Sequence, residues 1–500
     1  MKTPDRNRLI FSAALLTLAL TLAGCGKEAL VKPPLPVTSA TQDTAALKRA
    51  KLAQSIDSLL ADSSLEQAQC GLYLIELGGS DPLYAKNQDQ LFIPASVNKI
   101  FTTAATLYQL GPHRRFPTAV YGPSAWAGGK LKGNLYLKGF GDPLLSSAGL
   151  EGLAFRLRSR GISHITGDLM VDASYLDTVK YGAGWMWDEG PHAYNAPISA
   201  LSAGQNIFEV GFRPSSRAGR RAAVSAGTDL PDIRILNQVV TGRPGTKRKI
   251  KAERSHSDGT DLFTFSGHLP QDDSVQYLSF SISEPALHSG ALFIQALEAQ
   301  GIRFTGRVRT GQAPESLACL ALHESPPLYV MIQRMNKESD NFIAEMLFRQ
   351  VSRDSTGFTA SDPYNGVEKV LHGMGFAPGS FKVADGSGLS RYNLCYPRMV
   401  TEVLTALYRD PLLQTELLEA LPLAGVDGTL YRRMQNGGAK IRVRAKTGTM
   451  TGVSCLAGFA FGPGGKTYCF AMMFNNYPGK AAEVRRVQDA ILERLLEITP

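Results

Sequence analysis

A serine hydroxyl is a weak nucleophile unless a base lies within hydrogen-bond reach of it. The stretch Pro94-Ala95-Ser96-Val97-Asn98-Lys99 offers such a pair, since Ser96 and Lys99 are three apart and share a face of any helix. Pro94 before it and Gly111 after it mark where that helix starts and stops. Phe101, Ala104, Ala105 and Leu107 recur at helical spacing, which predicts one buried side. Ser96 then falls at the amino end, where backbone N–H groups favour developing negative charge. Alone the pair says little, because Ser-x-x-Lys arises by chance about once or twice in a chain this long, mostly as caps or solvated surface. Ser339-Asp340-Asn341, between two helix-like segments, and Lys446-Thr447-Gly448, in a strand-like one, make chance a poor explanation of all three in this order.

The elements that must position these residues can be read in outline. Residues 45–60 pattern as an amphipathic helix and 71–76 as a strand, with the Ser96 helix following. From about Arg114 the texture changes to short strands with Gly, Pro and Asp turns, as at 133–138, 167–172 and 279–283. Residues 216–260, rich in Arg, Lys, Ser and Gly, read as a minor β-type subdomain. Helical pattern returns at 286–301, around Ser339 and at 364–374, followed by the glycine-rich 384–391. A hairpin turning at Gly462-Pro-Gly-Gly465 and an amphipathic helix over 481–497 complete the chain. Ser96 and Ser339 are 243 residues apart, yet the chemistry needs them in one pocket. The β-rich middle is therefore expected to be an insertion into a catalytic domain. The expected division is 1–25 signal peptide, 26–44 linker, 45–113 and 318–500 catalytic domain, 114–205 and 279–317 inserted domain II, and 206–278 inserted domain III.

The chain has 500 residues, 44% of them hydrophobic, and a net charge of +9, enough for a large core and a mildly cationic surface. No basic run with interleaved aromatics and no zinc-type cysteine spacing appears, which excludes the common nucleic-acid modules. The eight histidines show no ligand spacing, and neither a metal site nor a cofactor is expected. Lys2, Arg6 and Arg8 precede an apolar run from Leu9 to Leu22, too short for a comfortable membrane span. That run ends in Leu22-Ala23-Gly24-Cys25, similar to a bacterial lipoprotein cleavage site, so Cys25 is the expected lipidated N-terminus. The alternative is an ordinary secretory signal with a nearby cysteine. Gly26, where an Asp is absent, resembles the outer-membrane form of enterobacterial lipoproteins. Cys70, Cys319, Cys395, Cys455 and Cys469 are scattered and read as core thiols.

The three motifs together resemble those of class A β-lactamases and penicillin-binding proteins. The long insertion makes the chain similar to the low-molecular-mass class C penicillin-binding proteins, the D-Ala-D-Ala carboxypeptidase/endopeptidase family (peptidase family S13), from about residue 50 to the end. Gly141-Asp142-Pro143, 167–172, Gly184-Trp-Met-Trp-Asp188, 196–201, 385–390 and 425–430 look like stretches of that family. The resemblance implies an α+β fold: a serine β-lactamase/transpeptidase-like catalytic domain, helices around an antiparallel sheet, with a large β-rich inserted region of two subdomains. It implies peptidoglycan stem peptides and cross-links as substrates, acylation by β-lactam antibiotics, a periplasmic location, and Asp172 and Arg391 as groups holding the stem-peptide side chain. The lipobox, the stretch Ser202-Ala-Gly-Gln-Asn206 and Thr451 depart from the family pattern. Trp185 and Trp187 read as packing residues rather than ligand contacts.

The expected chemistry is an acyl-enzyme on Ser96, with neutral Lys99 as base and Lys446 as the second cation that disfavours its charged form. Ser339 relays a proton to the leaving amine, and Asn341 orients Lys99 and the substrate amide. Lys446 and Thr447 hold the terminal carboxylate, and Gly448 admits the substrate strand. The N–H groups of Ser96 and Thr449 form the oxyanion hole. A β-lactamase and a non-catalytic wall-binding lipoprotein are the alternatives. The first needs fast deacylation, for which no general base is clearly placed; the second has no need of a paired nucleophile and base.

Overall fold

Strand residues point alternately to opposite faces, so a strand apolar at every position must be covered on both sides. In Thr467–Asn475, Cys469, Ala471 and Met473 enter one core while Phe470, Met472 and Phe474 enter another. This strand lies in the middle of a five-stranded sheet ordered Val443–Met450, Val453–Phe461, Thr467–Asn475, Gln69–Glu76, Tyr84–Lys86. Every neighbouring pair is antiparallel, with Gln69 opposite Asn475 and Lys446 opposite Ala457. The computed structural model describes residues 40–186, 188–226, 231–353 and 365–498.

One face of this sheet is covered by the helices Ala40–Leu60, through Leu52, Ile56 and Leu60, and Ala481–Ile498, through Val484, Val487, Ile491, Leu492 and Leu495. The i, i+3, i+4 spacing of those residues makes the apolar stripe, each side chain contributing about 1.5–3 kcal/mol on burial. The other face carries the helices Lys99–Leu110, Asn341–Ser352 and Pro397–Arg409. The helix after Ser96 differs from its expected one-sided burial: Lys99 through Leu107 are all buried. It runs inside the helical layer, and its threonines find internal partners. Thr102 donates to the Gly386 carbonyl at 2.7 Å, and Thr103 accepts from Asn336 at 2.9 Å.

In the sequence, the β-rich middle falls between the strands that the sheet takes from the two ends. A second, mixed sheet is ordered Val308–Thr310, Leu169–Asp172, Leu135–Gly139, Pro117–Gly122, Ala318–Glu324, and packs on the helices Ser147–Ser159 and Pro285–Ala299. Ala318–Glu324, which the sequence division leaves in the final catalytic segment, pairs here with Pro117–Gly122. Two three-stranded sheets from residues 207–281 enclose a smaller core of Phe208, Phe212, Phe263, Phe265 and Phe280. The strand Gln276–Ser281 pairs with Ile207–Arg213, so it runs across the expected boundary at 278. Of the described cysteines, Cys70, Cys395, Cys455 and Cys469 are buried thiols as expected, but Cys319 is exposed, because it sits on a strand with an open face.

Gly458 lies in the central sheet directly opposite Ala445, one residue before Lys446. A Cβ there would meet the Arg444 carbonyl and lie 2.6 Å from the Ala445 Cα. Gly458→Ala is expected to push the Lys446 strand outward and lower stability by about 1–3 kcal/mol, read as a fall in thermal unfolding midpoint.

Candidate active site

Pro94 opens a 3-10 turn, Ala95–Asn98, that runs into the helix Lys99–Leu110, and Gly111 ends it at φ 75°. From Pro94 to Leu107 every residue is buried except Ser96, which is half-buried. The turn therefore presents one side chain to solvent, the serine hydroxyl. Lys99 Nζ lies 3.0 Å from Ser96 Oγ, 2.8 Å from Asn341 Oδ1 and 2.6 Å from the Ser387 carbonyl. Asn341 begins the helix Asn341–Ser352, whose first turn is capped by Asp340 accepting from the Ile343 N–H. Ser339 sits just before it in a left-handed conformation, φ 59°, between that helix and Leu328–Lys337.

Across the cleft, the edge strand Val443–Met450 brings Lys446 to Ser339, Nζ to Oγ 2.9 Å, and Lys446 also donates to the Thr447 carbonyl at 2.8 Å. The alternation of the strand aims Lys446 at the helical layer while Val443 and Ala445 enter the opposite core. Thr447 Oγ1 is half-buried and donates to Thr429 Oγ1 at 2.8 Å. A Cβ on Gly448 would lie 2.5 Å from the Pro94 carbonyl and 3.1 Å from the Ser96 nitrogen. The strand is thus packed against the serine's own turn, and the missing side chain serves that approach. Thr449 is exposed, and its hydroxyl accepts from Arg485 at 3.2 Å.

Both lysines are fully buried. Burial pulls the Lys99 amine down to about 8, against the upward pull of Asp385, Glu345 and Asp340. Burial, then the charge of Lys99, holds Lys446 well below the usual amine range. The sequence reading ascribes the lowering of Lys99 to Lys446; in the structure desolvation lowers it, and no second cation is among the leading causes.

The loop 384–391 lies against the serine turn. Asn98 donates to the Asp385 carbonyl at 2.7 Å, Thr102 to that of Gly386 and Lys99 to that of Ser387, so three successive carbonyls accept from one helix and its turn. The Asp385 carboxylate accepts from Gly388 N, Ser390 N, Asn393 Nδ2 and Trp185 Nε1. None of these contacts was signalled by a motif. Trp185, read as packing, is in fact hydrogen-bonded to this loop, and Asn341 donates to the Tyr194 carbonyl at 3.0 Å, so the segment around 185–195 borders the cluster.

Ser96, Lys99, Ser339, Asn341, Lys446, Thr447 and Gly448 are brought together, with Thr449 next on the same strand. Asp172 is elsewhere: it is buried in the second sheet, where its carboxylate accepts from Ser174 N and Ala313 N and pairs with Lys138 at 3.1 Å. Burial would raise its pKa, but the bonds from Ala313, Ser174 and Lys138 outweigh that and leave it lowered. Arg391 is exposed and donates to the Thr451 carbonyl at 2.7 Å. Cys25 and Trp187 lie outside the described residues.

An antiparallel sheet between two helical layers, with a serine turn and a lysine-bearing edge strand facing across a cleft, defines a serine β-lactamase/transpeptidase-like fold. Residues 52–497 match the D-Ala-D-Ala carboxypeptidase 3 (S13) family, and the chain belongs to that family. It is 34% identical over 485 residues to the D-alanyl-D-alanine carboxypeptidase of Actinomadura sp., covering 93% of this chain and 89% of that one. The crystal structure of penicillin-binding protein 4 from Haemophilus influenzae is similar at a TM-score of 0.78 and 28% identity, covering 88% of this chain and 98% of that one. The same Haemophilus protein complexed with a β-lactam matches at a TM-score of 0.75 and 27% identity, covering 88% of this chain and 99% of that one.

Gly388 holds the 384–391 loop against the serine turn at φ +82°, where a Cβ would run into the Ala95 carbonyl and lie 3.0 Å from Asn98 Cβ. Gly388→Ala is expected to cost about 1–3 kcal/mol of stability from the strained backbone alone. Thermal unfolding checks this.

Proposed function

We propose that the chain is a serine-type D-Ala-D-Ala carboxypeptidase with DD-endopeptidase activity on peptidoglycan cross-links, working through an acyl-enzyme on Ser96. The observation that carries this is the 3.0 Å approach of Lys99 Nζ to the one solvent-reachable side chain of its turn, Ser96 Oγ. Ser96 attacks the carbonyl carbon of the penultimate D-Ala while its proton passes to Lys99, which burial keeps available as the free amine. Negative charge on the carbonyl oxygen is met by the N–H groups of Ser96 and Thr449. As the peptide bond breaks, the proton held by Lys99 passes by way of the Ser339 hydroxyl to the leaving amine, returning Lys99 to the free amine, while Lys446 holds Ser339 at 2.9 Å. Asn341 fixes Lys99, and water then hydrolyses the ester.

Among the described residues Lys446 has a hydroxyl and a carbonyl as its hydrogen-bond partners and no carboxylate, which suits it to the terminal carboxylate of a stem peptide, beside Thr447. Arg391, exposed at the rim, is the second group assigned to the substrate side. Asp172, whose carboxylate is paired with Lys138, is the other group the resemblance assigns to the stem-peptide side chain. We assign 45–113 and the segment after Glu324 to the catalytic domain, 114–206 and 282–324 to inserted domain II, and 207–281 to inserted domain III. Strand pairing supports these limits, which differ from the sequence division at 278 and 317.

Leu22-Ala23-Gly24-Cys25 supports removal of a signal peptide, lipidation at Cys25 and attachment to the periplasmic face of the outer membrane, with 26–44 as tether. Cys25→Ser in the full chain is expected to move the protein from the membrane to the soluble fraction. Retention in the outer-membrane fraction would remove the anchor.

Penicillin acylation of the chain, followed by intact-mass spectrometry beside Ser96→Ala, tests the reaction. A lasting adduct absent from the variant is expected, and its rate should climb with pH through about 8, as Lys99 loses its proton. Drug hydrolysis without a lasting adduct would make the chain a β-lactamase. Folded protein that gives neither would leave a wall-binding lipoprotein.

A further inference from the structure

Glu345 is a carboxyl group with no solvent exposure in the middle of Asn341–Ser352, one turn beyond Asn341 and so on the same face. Burying a carboxyl in a helix core is costly unless its oxygens are used. One oxygen accepts from the Ser387 N–H at 2.8 Å; among the described residues the other has no partner of hydrogen-bond geometry, with the Ser387 hydroxyl near the carboxyl. The next peptide link, between Ser387 and Gly388, presents its carbonyl to Lys99 Nζ at 2.6 Å. Glu345 and Lys99 therefore grip one residue from opposite sides, its N–H and its C=O. Around it the loop has little freedom, because a Cβ on Gly386 would meet the Ala344 carbonyl at 2.5 Å and the loop's carbonyls are bonded to Asn98 and Thr102.

We propose that Glu345 is a positioning residue for acylation: it clamps the Ser387 N–H so that the Ser387 carbonyl fixes the Lys99 amine beside Ser96 Oγ. The inference rests on the acyl-enzyme reading above and adds to it a residue that touches neither substrate nor nucleophile. The acceptor oxygen is what the clamp needs; the charge is not. The Asp385 carboxylate accepts from four donors, whereas the Glu345 carboxyl has the Ser387 N–H. Burial and then Asp385 push Glu345 up to about 7. The charged groups facing it are Lys99 from the serine helix, Asp385 from the loop, and Arg349 on its own helix, itself paired with Asp177. Asp340 and Lys446 lie farther along the same cluster, as neighbours of Lys99. An ionised Glu345 opposes loss of the Lys99 proton, and so does a fixed carbonyl that accepts from the ammonium. Removing either should make Lys99 titrate lower.

The test is the rate of penicillin acylation against pH for the full chain and for Glu345→Gln, Glu345→Ala and Glu345→Asp. Glu345→Ala loses the acceptor and Glu345→Asp withdraws it by one methylene; each is expected to cut the plateau rate about tenfold to a hundredfold. Glu345→Gln keeps an acceptor oxygen and is expected to restore the plateau to within about threefold of the parent. Both Glu345→Gln and Glu345→Ala should move the midpoint of the alkaline rise to lower pH, which a loss of packing alone would not do. Parental rates in the Ala and Asp variants, a Gln variant as slow as Ala, or midpoints that stay or move upward would each overturn the proposal. If Glu345→Ala does not fold, the Asp and Gln pair decides. Absence of acylation in the parental chain would instead sink the acyl-enzyme reading itself.

Discussion

Two lysine side chains among the described residues, Lys99 and Lys446, are buried completely, and much of the architecture around the serine turn follows from the need to keep them there. An ammonium in a protein core costs several kcal/mol unless it is paired or gives up its proton. Among the described residues neither lysine has a carboxylate in hydrogen-bond contact; their partners are hydroxyls, an amide oxygen and main-chain carbonyls. Such partners accept from an ammonium without binding it as tightly as an ion pair would. The acids sit one layer back, as Asp340, Asp385 and Glu345, close enough to temper the effect of burial on Lys99 but not to cancel it. The result is an amine that changes protonation state in a useful range.

That arrangement needs rigid carriers, and each is rigid for a different reason. The serine turn is fixed by burial of everything in it except the serine. The Ser-Asp-Asn segment is fixed by a helix cap, and by Gln205, which reaches from the inserted region to Asp340 at 2.6 Å. The lysine strand is held by pairing along its whole length with Val453–Phe461 and by the absence of side chains at Gly448 and Gly458. The loop 384–391 is the least regular carrier and the most heavily hydrogen-bonded, which is how an irregular backbone can be buried at all.

The three motifs were legible because each couples a reactive residue type to a spacing that secondary structure turns into direction. Ser96 and Lys99 share a face at i and i+3, and Lys446 alternates away from Val443 and Ala445. Element types were legible for the same reason, from the helix around Leu52 and Ile56 to the hairpin at 462–465. What was not legible has no local period. The loop's backbone bonds to Asn98, Thr102 and Lys99 depend on residues nearly 290 positions apart. Asp172 entered as a substrate group through the family resemblance, and its bonds to Ser174 and Ala313 within its own sheet have no sequence signature. Glu345 left one usable trace, a lone acid one turn past Asn341 among Ile343, Ala344, Met346, Leu347 and Phe348. An unexplained charge on an apolar helix near a motif deserved to be read as part of the site.

The pairing of Gln69–Glu76 with Thr467–Asn475 also bears on how the molecule is made. The strand Gln69–Glu76 is made before the whole inserted region, and its neighbour Thr467–Asn475 only after it. No folding of that sheet can finish on a partial chain, while the middle region, with its own two cores, has most of its partners in hand sooner. Such long-range closure slows folding and leaves an apolar edge waiting for its mate. A polypeptide built this way remains without its central sheet, and so without the pairing that carries the Lys446 strand, until Thr467–Asn475 has been made.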